Sequence, residues 1–106
     1  MKYDFLADLA ALIESRKQAS SQSSYTASLL HQGSGKCAQK FGEEAVEFAM
    51  AMVSESDDNI TNEAADVLYH LLVALSAKNI PFDHVINVLQ ARTALSGHEE
   101  KAQRNK

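Results

Sequence analysis

Several residue types are scarce in this sequence. It contains one cysteine, one proline and no tryptophan among 106 residues. A single cysteine excludes an internal disulfide framework and is typical of a reducing compartment. No apolar run approaches the roughly 18 residues of a membrane span, and the N-terminus does not have the pattern of a signal peptide. We therefore expect a cytoplasmic protein with no membrane partner.

Basic residues are also in the minority. Ten Lys and Arg residues stand against fourteen Asp and Glu residues, which gives a formal net charge of −4. Nucleic-acid binding normally needs a basic surface, so we expect no nucleic-acid partner. A phosphate ligand remains compatible with this charge, because a bound cation and a few lysines reverse it locally. The length fits one domain, with 45% hydrophobic residues as in ordinary globular proteins.

The hydrophobic residues recur with the period of α-helices, and no segment has a substantial strand pattern. We predict one all-α domain over residues 1–95, a bundle of four to five helices. The predicted helices are Tyr3–Lys17, a short helix capped by Ser24 that stops at Gly33, Ser34–Val53, a segment capped by Asp57 or Asp58 that ends near Lys78, and Pro81–Arg92. Residues 96–106 are polar and are predicted to form a flexible tail.

Two acidic segments lie on the two longest predicted helices. Each contains a pair of carboxylates three residues apart, Glu44 with Glu47 and Glu63 with Asp66. Residues at this spacing share one face of a helix, and both pairs lie beside the predicted core stripe. Consecutive helices joined by a short turn are normally antiparallel neighbours, so we predict that the four carboxylates meet. For either segment alone, a solvated helix face is the more common arrangement.

The core stripe predicted for the helix that carries Glu44 consists of Ala38, Phe41, Ala45, Phe48, Ala49 and Met52. Four carboxylates beside it would need a cation, because like charges repel strongly in a partly dry site. Oxygen ligands favour Mg²⁺, with Mn²⁺ as a substitute, whereas zinc and di-iron sites need Cys or His ligands. Lys36 and Lys40 precede Glu44 on the same flank and are predicted to face phosphate. For each lysine, the sequence is equally consistent with an ordinary exposed side chain.

Three segments resemble the phosphoribosyl-ATP pyrophosphohydrolases, which catalyse the second step of histidine biosynthesis. They are Ser-Tyr-Thr at residues 24–26, Lys-Phe-Gly-Glu-Glu-Ala-Val-Glu at residues 40–47 and Glu-Ala-Ala-Asp-Val-Leu-Tyr-His-Leu-Leu at residues 63–72. The acidic pattern alone is the wider signature of the all-α nucleoside triphosphate pyrophosphohydrolases. The Ser-Tyr-Thr segment and the Tyr-His pair narrow the resemblance to this family.

The resemblance implies an all-α homodimer that hydrolyses the α–β phosphoanhydride of phosphoribosyl-ATP to phosphoribosyl-AMP and pyrophosphate. It implies that the metal ligands are Glu44, Glu47, Glu63 and Asp66, and that Lys36 and Lys40 face phosphate. It also implies that Tyr25 and Thr26 contact the nucleotide or the ribose phosphate.

Two further residues are candidates for the site. Glu43 adjoins the ligand flank and is predicted to act with Glu44 and Glu47 in catalysis by taking the proton of the attacking water, although a surface ion pair is an equally good assignment. His70 follows Asp66 by one turn and is a candidate substrate contact, although a histidine beside an apolar stripe is more often a packing residue.

Two other functions stay open at this point. One is a housecleaning pyrophosphatase that acts on free or damaged nucleoside triphosphates. The other is a helical dimerisation module without catalysis.

Overall fold

The computed structural model describes residues 4–94 and Arg104. Its elements are α1 (Asp4–Ser15), a 3₁₀ turn (Arg16–Gln18), α2 (Tyr25–His31), α3 (Ser34–Ser54), α4 (Asp57–Ala77) and α5 (Phe82–Thr93). These residues contain no strand, and the predicted all-α fold of up to five helices is confirmed. Apart from Arg104, the predicted tail lies outside the described residues. No helix in the described ranges is long and apolar enough to cross a membrane.

The N-terminal ends of α2 and α4 are set by capping side chains. Ser24 caps α2 as predicted, because its hydroxyl accepts a hydrogen bond from the backbone N–H of Ala27 at 3.1 Å. The predicted N-cap of α4 was wrong. Ser56 is the N-cap and accepts from the N–H of Asn59 at 3.3 Å, which puts Asp57 and Asp58 in the first helical turn. Carboxylates there interact favourably with the positive end of the helix dipole.

The centre of the fold is an antiparallel helical hairpin. α3 and α4 form the most extensive helix pair, and only two residues, Glu55 and Ser56, join them. α1 and α2 also pack against α4, so α4 has neighbours on more than one side. The buried core consists of Ile13, Leu29, Cys37, Leu72 and Val73.

The face of α3 that meets α4 differs from the predicted stripe. The buried residues of α3 are Cys37 and Ala51, whereas Met52 is 57% exposed and Ala38 and Ala49 are also exposed. The contact face is therefore rotated by about 70° from the prediction, at 100° per residue. Alanines on several sides of α3 weaken its pattern, and the position of the partner helix decides which side is covered. The rotation brings Glu44 into the contact face.

Candidate functional site

Three of the four predicted metal ligands converge between α3 and α4. Glu44 on α3 and Glu63 and Asp66 on α4 each offer a carboxylate oxygen, and these three oxygens lie within 4.8 Å of one another. Glu44 and Glu63 are partly buried, and Asp66 is exposed. The geometry follows from the hairpin, because the antiparallel packing sets the second and third turns of α4 opposite the middle of α3. We call these three residues the carboxylate cluster.

Glu47, the fourth predicted ligand, lies outside the 4.8 Å group but acts on it electrostatically. It is exposed and one turn beyond Glu44 on α3. After burial, its charge is the largest cause of the raised pKa of both Glu44 and Glu63. The structure thus places Glu47 beside the cluster, one helical turn from its centre.

The carboxylate cluster is electrostatically crowded. Burial raises the pKa of Glu44, and the charges of Glu47 and Asp66 raise it further, while His70 and Lys40 act in the opposite direction. Burial also raises the pKa of Glu63, followed by the neighbouring carboxylates. Since the raised pKa values mean that the ionised forms are disfavoured here, a cation bound among these oxygens would be stabilising.

One oxygen of the cluster is buried without a partner. Within the described residues, Oε2 of Glu63 has no hydrogen-bond donor, although water cannot reach it. A buried carboxylate oxygen with no partner is unfavourable, and such atoms are rare in folded proteins. The donor set is entirely carboxylate oxygen, the ligand type preferred by hard divalent cations. The residues present therefore fit an ion of the Mg²⁺ class.

The predicted phosphate-binding lysines lie on the α3 side of the cluster. Lys40 Nζ is 3.3 Å from Oε2 of Glu43 and 4.0 Å from Oε1 of Glu44. The hydrogen bond to Glu43 is the main reason that the pKa of Lys40 is raised. Lys36 is partly buried one turn earlier, and its charge contributes to the lowered pKa of Glu43. The two lysines form a positive edge beside the carboxylates.

Glu43 is an exposed residue with its own partners. Its carboxylate accepts hydrogen bonds from Gln39 Nε2 at 2.9 Å and from Lys40 Nζ at 3.3 Å. These bonds, that of Gln39 first, hold its pKa below the ordinary value. Its oxygens do not belong to the group that converges within 4.8 Å. A role as the base thus stays a prediction.

His70 is buried and connects the cluster to α2. Its Nδ1 donates to the backbone carbonyl oxygen of Asp66 at 2.9 Å, and its Nε2 lies 3.3 Å from the hydroxyl oxygen of Tyr25. The ring also makes edge-on contacts with Tyr25 and Tyr69. Thr26 is buried, and its hydroxyl is bonded to that of Tyr69. The structure therefore brings His70 together with Tyr25 and Thr26, which lie more than 40 residues earlier in the sequence.

Two cavities accompany these residues. One, of about 230 Å³, is bounded by α1, by residues 23–26 and by Tyr69. Arg16 and Tyr69 line it, and neither was among the predicted site residues. The other cavity, of about 360 Å³, lies between α1, the end of α4 and the start of α5, and it contains none of the predicted site residues. We place the candidate site at the carboxylate cluster because that is where ionisable ligands converge.

Comparison with known proteins identifies the family of this chain. The family model of phosphoribosyl-ATP pyrophosphohydrolase matches residues 6–93. This chain belongs to the phosphoribosyl-ATP pyrophosphohydrolase family. The match includes every residue of the carboxylate cluster, together with Tyr25, Thr26 and His70.

Curated relatives match over nearly the whole chain. A phosphoribosyl-ATP pyrophosphatase of Azorhizobium caulinodans is 52% identical over 101 residues, covering 95% of this chain and 93% of the relative. One of Methylobacterium radiotolerans is 54% identical over 99 residues, covering 93% and 92%. One of Rhodobacter capsulatus is 50% identical over 99 residues, covering 93% and 96%. Membership of the phosphoribosyl-ATP pyrophosphohydrolase family therefore rests on the whole domain.

Proposed function

We propose that this protein hydrolyses the α–β phosphoanhydride of phosphoribosyl-ATP, giving phosphoribosyl-AMP and pyrophosphate, as the second step of histidine biosynthesis in the cytoplasm. The observation that carries the proposal is the convergence of the Glu44, Glu63 and Asp66 carboxylates within 4.8 Å. Relatives about half identical to this chain bear the name phosphoribosyl-ATP pyrophosphatase, which supports the choice of substrate.

The carboxylate cluster would hold Mg²⁺, or Mn²⁺ as a substitute, with Glu47 as a fourth ligand. The partnerless Oε2 of Glu63 and the raised pKa values of Glu44 and Glu63 support this assignment. When bound, the ion supplies charge stabilisation for the phosphate oxygens during cleavage. Glu44 and Glu47 would be catalytic in this sense, as ligands that hold the ion.

Other residues of the chain bind and orient the substrate in this proposal. Lys40 would exchange its contacts with Glu43 and Glu44 for the phosphates, with Lys36 one turn away. Glu43 would accept the proton of the attacking water, for which it must be in the ionised form that its hydrogen bonds with Gln39 and Lys40 favour. Tyr25 is 56% exposed and would contact the nucleotide, while the buried Thr26 and His70 hold the surrounding wall in place.

We also propose that the protein is a homodimer. Val46, Met50 and Val53 form one stripe on α3, with 59%, 64% and 87% of their surfaces exposed. The stripe lies on the side of α3 opposite its contact with α4, at about 100° per residue. A continuous apolar stripe on a central helix is typical of a helix–helix interface, and a second copy of this chain supplies a matching stripe.

The test is Mg²⁺-dependent release of pyrophosphate from phosphoribosyl-ATP. Single Glu47→Gln and Asp66→Asn variants should lose most of the activity while keeping the helical circular dichroism spectrum. Asp8→Asn, an exposed change of the same charge on α1, is the control. Retained activity in both site variants would remove the proposed site.

A substrate panel separates the alternatives. Preference for ATP or damaged nucleoside triphosphates over phosphoribosyl-ATP would indicate a housecleaning enzyme. No Mg²⁺ binding by calorimetry, together with no turnover of any substrate, would indicate a dimerisation module.

A further inference from the structure

The smaller cavity is lined by Tyr25, whose hydroxyl oxygen lies 3.3 Å from His70 Nε2. We propose that it binds the phosphoribosyl group of the substrate and that Arg16 contacts the phosphate of this group, which makes Arg16 a specificity-determining residue. This inference rests on the proposed function and deepens it, because it names the part of the protein that distinguishes phosphoribosyl-ATP from ATP.

The lining of the cavity suits a sugar phosphate. Among the described residues that line it, Arg16 alone carries a charge, and that charge is positive in a chain with a net charge of −4. The α1 wall is apolar, formed by Leu9, Leu12 and Ile13. An apolar wall with one cation at its end matches a ligand that has a compact ring at one end and an anionic group at the other.

The opposite wall supplies hydroxyl groups. Ser23 and Ser24 lie there, followed by Tyr25 and Thr26, and the Tyr69 ring lines the cavity as well. The Ser24 hydroxyl oxygen accepts from the Ala27 N–H, which leaves its own proton free to donate to a ligand oxygen. Hydroxyls opposite a guanidinium are suitable partners for the hydroxyl and phosphate oxygens of a ribose phosphate.

Arg16 is available for an anionic ligand. None of the ion pairs formed between described residues includes it. Its charge acts on Tyr69, whose pKa is raised by burial and partly lowered again by Arg16. The neighbouring Lys17 is occupied, since its Nζ lies 2.9 Å from Oε1 of Glu14 and 2.7 Å from Oδ1 of Asn79. Arg16 is thus the cation that can offer a two-pronged contact to phosphate here.

The cavity and the carboxylate cluster are linked through His70. Tyr25 lines the cavity, and its hydroxyl lies 3.3 Å from His70 Nε2. His70 in turn donates to the backbone of Asp66, a member of the cluster. In the proposed binding mode, the triphosphate lies at the cluster and the phosphoribosyl group lies in the cavity.

The volume of the smaller cavity suits a fragment of a nucleotide rather than a whole nucleotide. About 230 Å³ is below the range of roughly 300–1,000 Å³ that holds ligands of drug size. A pentose phosphate is such a fragment. ATP lacks this group, so the contact with Arg16 is made by phosphoribosyl-ATP and is missing for ATP.

The experiment compares two ligands that differ by the phosphoribosyl group, phosphoribosyl-AMP and AMP, by calorimetry. Arg16→Ala should weaken phosphoribosyl-AMP binding about 10- to 100-fold, since a charged hydrogen bond to phosphate is lost, and should leave AMP binding unchanged. Arg16→Lys should recover part of the loss. Lys78→Ala, an exposed cation at the end of α4, controls for the change in net charge.

Steady-state kinetics give a second readout. In Arg16→Ala, the KM for phosphoribosyl-ATP should rise by a similar factor, with a smaller change in kcat. Equal losses for phosphoribosyl-AMP and AMP, or no loss for either, would overturn this inference while leaving the proposed function intact. Wild-type protein that releases no pyrophosphate from phosphoribosyl-ATP would overturn the proposed function and this inference with it.

Discussion

The buried ring of His70 donates from Nδ1 to the backbone carbonyl oxygen of Asp66 at 2.9 Å, while its Nε2 lies 3.3 Å from the hydroxyl oxygen of Tyr25. A carbonyl oxygen can only accept, so the Nδ1 atom carries a proton. In the neutral ring Nε2 then accepts from the Tyr25 hydroxyl. One imidazole thus contacts the backbone of a cluster residue and the hydroxyl of a cavity residue at the same time.

Removing the Tyr25 hydroxyl should therefore change the environment of His70. In Tyr25→Phe, Nε2 loses its donor, and the free energy of unfolding should fall by about 0.5–1.5 kcal/mol. The Nε2 chemical shift of His70, measured by ¹⁵N NMR, should move, and Nδ1 should stay protonated. Denaturant unfolding measures the change in stability. A His70 spectrum identical to that of the wild type would contradict the contact.

Glu63→Gln should affect stability and activity in opposite directions. Without metal, the variant should melt at a higher temperature, because a crowded carboxylate with a raised pKa is replaced by a neutral amide. Mg²⁺-dependent activity should fall at least about 100-fold, since a ligand oxygen is lost. Thermal scans with and without Mg²⁺ and a pyrophosphate assay test both parts.

Asp8→Asn is the matched control for this prediction, because it removes one exposed carboxylate from α1. It should change neither the melting temperature nor the activity appreciably. If Glu63→Gln lowers the melting temperature of the metal-free protein, the repulsion argued for the cluster is wrong.

The contribution to stability of the hydrogen bond between Ser76 on α4 and Glu14 on α1 should depend on pH. Ser76 Oγ donates to Oε2 of Glu14 at 2.6 Å, and this bond, followed by that of Lys17, lowers the pKa of Glu14. A carboxyl group with a lowered folded-state pKa adds stability above its unfolded value, near 4.5, and loses it as the pH falls through the folded value. Ser76→Ala should therefore cost about 1 kcal/mol at neutral pH and less at acid pH.

The pH dependence is measured as the difference in unfolding free energy between wild type and Ser76→Ala. The same substitution in a Glu14→Gln background is the control, and there the difference should be independent of pH over the acid range. A difference that grows as the pH is lowered would show that the hydrogen bond does not favour the ionised carboxylate.

Association of two chains should depend on the exposed stripe of α3. Met50→Glu places a charge in the middle of the stripe, and burying it in an interface is strongly unfavourable. We expect the variant to be a monomer by light scattering at a concentration where the wild type is a dimer. Gln18→Glu, an exposed change of the same charge in the 3₁₀ turn, should remain dimeric. A dimeric Met50→Glu protein would place the interface elsewhere.

The sequence was sufficient to predict the helical hairpin, because the acidic pairs and the apolar residues share one period on consecutive helices. It did not identify the N-cap of α4, since Ser56, Asp57 and Asp58 are all competent capping residues in a row. The backbone decides between them, as Ser56 is extended with a ψ of 159°. The rotation of α3 was missed for a similar reason, because it depends on the partner helix.

Arg16 and Tyr69 could not be identified as cavity residues from the sequence, for a different reason. A positive charge is favourable at the C-terminal end of a helix. This accounts for Arg16, so its local sequence indicates no other role. Tyr69 precedes His70 in the Tyr-His pair on which the resemblance partly rests. Its contact with Thr26, however, joins residues far apart in the chain. The cavity forms only when the loop before α2 folds over α1. Such contacts between distant segments have no local pattern from which to predict them.

The carboxylate cluster and the smaller cavity are formed by different parts of the chain. Glu44, Glu63 and Asp66 belong to one hairpin closed by the two residues Glu55 and Ser56. Short loops close with little entropy loss, so the carboxylate cluster can assemble early and locally. Arg16 and Tyr25 must then dock from outside the hairpin. Mutations in the first quarter of the chain can therefore alter which substrate is selected without disturbing the chemistry.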